Sequence, residues 1–87
     1  MDHKELKKKA KNLEPVVRVG KAGISESLIS EIKKHLKKKK LIKIKFLRSA
    51  VFQKSVKEQG TDIAEKTESE LVVVTGFTAV FWFGKRK

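Results

Sequence analysis

Gly20-Lys21-Ala22-Gly23 is the stretch of this sequence whose residue types and spacing come closest to a chemistry. Two glycines three positions apart leave a main chain that another backbone can approach closely, and either can take positive φ without a Cβ clash. The β-branched run Val16-Val17-Arg18-Val19 precedes them and a helical pattern follows. Free amides at the start of that helix then point back toward the turn, a favourable arrangement for phosphate. Lys21 adds a direct charge, Ala22 completes the loop, and Ser25 is the expected N-cap. The spacing lacks the Gly-Lys-Ser/Thr ending of a Walker A loop and the third glycine of a dinucleotide fingerprint. The same residues also suit a tight strand-to-helix turn that holds no ligand.

KH domains clamp a nucleic-acid backbone with a GxxG loop of this kind. Other chemistry finds little support. The 87 residues include no cysteine, which excludes a disulfide framework, a thiolate zinc site and a thiol nucleophile. His3 and His35 have no carboxylate at metal-ligand spacing, and Ser25, Ser27 and Ser30 have no nearby base. No catalytic constellation can be assembled, so neither an enzyme, a cofactor, a metal nor a small-molecule substrate is expected. Phe81 and Phe83 are assigned to the core. Trp82, on the opposite face of the same strand, is not assigned a stacking role.

Charge narrows the choice of partner. Lys and Arg number 22 against 10 Asp and Glu, for a formal net charge of +12. Residues 1–45 hold 15 of the basic and 5 of the acidic residues; residues 46–84 hold 4 and 5. Such asymmetry favours a binding face for a polyanion over a general coat of solubilising lysines. No apolar run reaches the roughly 18 residues of a membrane span, and the N-terminus lacks a signal-like apolar stretch. A single domain over residues 1–87, with a basic tail at 85–87, is expected to act as a cytoplasmic monomer.

The elements that must position the glycine turn follow from periodicity. Leu6, Ala10 and Leu13 give residues 2–12 a narrow helical stripe that ends before Pro15. A strand at 16–19 leads into the turn. Ser25 then opens a helix with Leu28, Ile29, Ile32 and Leu36 on one face, which Ile24 can staple, and lysines crowding its C-terminal half. Ile42 to Phe46 alternates apolar and basic, the mark of a strand with one buried face and with Lys43 and Lys45 on the other. Residues 48–53 carry no clear pattern. Residues 54–68 fit a helix that Gly60 either kinks or breaks. Strands at 70–75 and 79–83 flank a turn at Gly76-Phe77-Thr78. The order α-β-α-β-α-β-β defines a single α/β domain with a mixed four-stranded sheet.

Val17 to Ile24, Ser25 to Ile32, Leu41-Ile42-Lys43-Ile44-Lys45, Ile63 to Thr67 and Gly76 to Trp82 together resemble the chloroplast RNA splicing and ribosome maturation (CRM) family, including its stand-alone YhbY-type members. The resemblance covers nearly the whole chain. It implies a fold similar to the C-terminal domain of bacterial translation initiation factor three, a GxxG loop that approaches RNA, and association with precursors of the large ribosomal subunit. Where the family often carries Tyr-Arg, this chain has Trp82-Phe83, so the basic contact at that spot requires Arg86 to replace it.

The expectation is therefore a non-enzymatic protein that binds structured RNA, ribosomal RNA foremost. Gly20 and Gly23 would admit the backbone, Lys21 would pair with a phosphate, and Arg18, Lys33, Lys37, Lys40, Lys43 and Lys45 would widen the basic footprint. Neutralising about five phosphates would give a log–log salt slope of roughly −4. The alternatives are a non-specific double-stranded DNA or chromatin-type binder and a module for an acidic protein partner.

Overall fold

The computed structural model describes residues 3–52 and 54–84, with α1 at His3–Ala10, β1 at Pro15–Val19, α2 at Glu26–Lys39, β2 at Leu41–Phe46, α3 at Val56–Thr67, β3 at Glu70–Thr75 and β4 at Thr78–Trp82. A 3₁₀ turn occupies Arg48–Val51, the stretch without a sequence pattern. The sheet order is β1-β2-β4-β3. β1 and β2 are parallel, whereas β4 runs antiparallel to both of its neighbours. This is the expected mixed four-stranded sheet.

Alternation along β2 decides which layer lies on which side. Ile42, Ile44 and Phe46 are buried with Ile32 and Leu36 of α2 and Val56, Ile63 and Ala64 of α3. The opposite face carries a second cluster, in which Leu6 and Ala10 of α1 close over Val72 and Val80. The basic face of β2 is thus partly roofed by α1 rather than open to solvent, and Lys43 is half-buried while Lys45 is exposed. Phe81 and Phe46 are fully buried, each contributing about 1.5–3 kcal/mol of apolar burial. Trp82 packs on the α1 side and Phe83 against the α2–α3 side, as alternation requires.

α3 runs through Gly60 without a break. A Cβ at Gly60 would lie 3.3 Å from Leu71 Cδ1 and 3.7 Å from Phe81 Cζ. The glycine therefore allows the helix to approach the sheet closely, and it does not bend the chain. The start of α3 is fixed by a capping box: the Glu58 amide donates to Ser55 Oγ at 3.2 Å, and the Ser55 amide donates to Glu58 Oε1 at 3.2 Å. Both α2 and α3 end on non-glycine residues with positive φ, Lys40 at 67° and Glu68 at 56°. α1 stops at Ala10, two residues short of the expected helix, where the backbone turns toward Pro15.

Candidate nucleic-acid interface

Because β1 and β2 are parallel neighbours, the chain leaves both at the same edge of the sheet. The Leu47 amide donates to the Val19 carbonyl at 2.8 Å, extending the ladder by one bond and holding the two exits together. Gly20–Gly23 leaves from β1 and the 3₁₀ turn from β2. In open α/β sheets, the space beyond the carboxyl ends of the strands is where ligands are generally held.

The glycine loop is a tight turn, closed by the Gly23 amide donating to the Gly20 carbonyl at 3.0 Å. Its two glycines have different reasons. Gly23 sits at φ 78°, a conformation that side chains rarely adopt, with no atom within 4 Å of where a Cβ would be. Gly20 has no positive φ, and a Cβ there would make ordinary contact with Leu47 Cδ1 at 3.6 Å. Only Gly23 is dictated by the backbone. Ser25 caps α2 as expected, its Oγ accepting from the Leu28 amide at 3.1 Å. The carboxylate of Glu26 in the first turn competes with any anion placed at that helix start.

A groove of about 840 Å³ brings together three parts of the chain: Lys21, Ala22, Gly23 and Ile24 of the loop, Ser49, Ala50, Phe52 and Lys54 of the segment after β2, and Gln59, Asp62 and Lys66 of α3. Lys21, Lys54 and Lys66 are exposed. Lys66 Nζ lies 3.2 Å from Asp62 Oδ2, which offsets part of its charge. Gln59, only 4% exposed, forms the floor. Its Nε2 donates to the Ala50 carbonyl at 2.7 Å and to the Lys54 carbonyl at 2.9 Å, tying both residues to α3. Phe52, between those two anchors, is 88% exposed.

The residues expected from the sequence do not all meet here. Lys21, Ala22 and Gly23 line the groove, and Gly20 and Ser25 flank it. Arg18 and Lys45 are cross-strand partners, both exposed on the α1 side of the sheet. Lys43 belongs to a separate cleft of about 370 Å³ with Lys7, Lys11, Thr75 and Thr78. Lys33, Lys37 and Lys40 follow α2 away from the loop; its 14 residues span about 21 Å. Lys40 stands at the far end, with its Nζ 5.2 Å from the Phe83 ring centroid. Arg86 lies outside the described residues.

The groove's other residues come from the half of the chain with almost no net charge. Lys54, Lys66, Phe52 and Gln59 carry no sequence signal of a binding role, although the Ser55–Glu58 capping box marks where the 3₁₀ segment gives way to helix. Among the described residues, no group of three or more His, Asp or Glu is placed to hold a metal ion. No described helix is long and apolar enough to cross a membrane.

Residues 2–82 match the family model of the CRS1/YhbY (CRM) domain. The chain belongs to that family. As a CRM domain it is 41% identical over 71 residues to "Probable RNA-binding protein MJ0652" of Methanocaldococcus jannaschii. That match covers 82% of this chain and 52% of the relative, so the chain spans about half the length of that protein. It is 32% identical to "Probable RNA-binding protein YqeI" of Bacillus subtilis, over 88% of this chain and 78% of the relative. The CRM fold is shared with the hypothetical protein SAV1595 of Staphylococcus aureus, described with its solution structure as a candidate RNA binder. The TM-score is 0.78 at 33% identity, covering 98% of this chain and 86% of the other.

Proposed function

We propose that this CRM domain binds structured RNA, foremost the ribosomal RNA of the large-subunit precursor, and acts in ribosome assembly as a cytoplasmic monomer without catalytic activity. The observation that carries the reading is the groove itself. A glycine loop that a sugar-phosphate backbone can approach shares a cleft with Lys54 and Lys66, with Lys21 on the loop. Lysines supply point charges for phosphate without base readout. The relatives named as RNA-binding proteins and the family membership support the same polyanion. In this reading, Arg18 and Lys45, with Lys43 beyond them, supply long-range attraction more than direct contact.

Crosslinking in cells, followed by sequencing of the bound nucleic acid, tests the proposal. The expected result is enrichment of large-subunit precursor RNA that is lost in Lys21→Glu. Binding spread over messenger RNA and indifferent to the variant would overturn it. Equal or better affinity for double-stranded DNA in vitro would favour the non-specific DNA alternative.

A further inference from the structure

The geometry points to Phe52 as a stacking platform for an unpaired RNA base, making the groove a site for single-stranded or bulged nucleotides. The inference rests on the RNA-binding reading and goes further by naming the form of RNA the groove takes.

Three observations meet at this residue. First, Phe52 is 88% exposed, against 45% for Phe77 and 38% for Leu47, the other exposed large apolar side chains among the described residues. An aromatic ring left this open gains nothing from the protein's own core. Second, the backbone is held at described positions on either side of the ring. Gln59 holds the carbonyls of Ala50 and Lys54 on either side of it, and the Ser55–Glu58 capping box fixes the chain just beyond. An anchored aromatic gives up little conformational freedom on stacking, so its contact energy is retained. Third, Phe52 lines the same groove as Lys21, Lys54 and Lys66. Aromatic faces beside cations that track the phosphates are the arrangement by which proteins hold single strands. A base in an A-form duplex has both faces covered by its neighbours, so only an unpaired nucleotide can use the ring.

Trp82 differs from Phe52 in burial. Its cleft also holds Lys9, Lys39 and Lys40, but the ring is half-buried and packed into the cluster beneath α1 with Leu6, Leu13 and Leu41, away from the glycine loop.

The test uses the full chain and two probes: a single-stranded RNA of about 12 nucleotides carrying one central 2-aminopurine, and an RNA duplex of the same length. Titrations would compare wild type with Phe52→Ala, Phe52→Trp and Lys21→Glu, with thermal melts showing that each variant folds. The expected result is quenching of the 2-aminopurine by wild type and by Phe52→Trp. Phe52→Ala should lose that quenching and about 5- to 150-fold in single-strand affinity, the range for one stacked base, with duplex affinity unchanged. Lys21→Glu should weaken both probes. Wild-type single-strand affinity and quenching in Phe52→Ala would overturn the stacking role and leave RNA binding standing. Failure of wild type to bind either probe would overturn the RNA-binding reading and this inference with it.

Discussion

Reversing the charge of Lys21 should weaken RNA binding by about 30-fold. The lysine is exposed in the groove that Lys54 and Lys66 also line. A lysine about 4 Å from a phosphate in water gains on the order of 1 kcal/mol, and a glutamate there would be repelled by a similar amount. The sum of about 2 kcal/mol is roughly a 30-fold change in Kd. The same geometry sets the salt dependence. Three lysines on a single-stranded backbone give a log–log slope of about −2, shallower than the −4 expected if the footprint held five phosphates. Lys21→Glu should flatten that slope by about 0.7 or more. Lys38→Glu is the matched control, an identical charge change on an exposed lysine near the far end of α2. That end lies beyond the ~10 Å Debye length at 0.1 M salt, so its effect should be about twofold at most. Fluorescence anisotropy with a labelled RNA, titrated across a series of KCl concentrations, reads both quantities. Equal losses in the two variants would refute the reasoning, because bulk charge would then account for binding without the groove.

Three further outcomes follow from the same geometry. Gly23→Ala should destabilise the fold by about 1–2 kcal/mol through its positive φ, lowering Tm by several degrees, whereas Gly20→Ala should melt within a degree or two of wild type; thermal unfolding by circular dichroism checks both. Gln59→Ala removes two hydrogen bonds to the segment carrying Phe52, which should lower stability by about 1–3 kcal/mol and raise amide hydrogen exchange at Ala50 and Val51. Asp62→Asn removes the carboxylate beside Lys66 and should tighten RNA binding about two- to threefold at low salt, an effect that fades as salt rises.

The sequence carried the architecture further than it carried the site. Apolar periodicity and Ser25 placed α2, and the alternation from Ile42 to Phe46 placed β2, because both signals come from which face is buried. The groove is less legible because its residues break that logic. Phe52 is apolar but exposed, so no periodicity includes it. Gln59 is polar but buried, and its role depends on two carbonyls it meets only after folding. Gly60 looks like a helix breaker, yet its requirement is set by Leu71, eleven positions away in sequence. The charge asymmetry does not single out the groove either. The lysine-rich half spreads over α1, α2 and the α1 side of the sheet, while Lys54 and Lys66 line the groove from the nearly neutral half.

The central claim is that RNA enters between the glycine loop and α3. Amide chemical-shift mapping of the nitrogen-15-labelled protein, titrated with a single-stranded RNA, tests it most directly. Perturbations should concentrate at Lys21 to Ile24, Ser49 to Phe52 and Gln59 to Lys66, with Lys7, Lys11 and Lys43 little moved. Perturbations centred on the cleft beneath α1, or spread evenly over every lysine-rich surface, would contradict it.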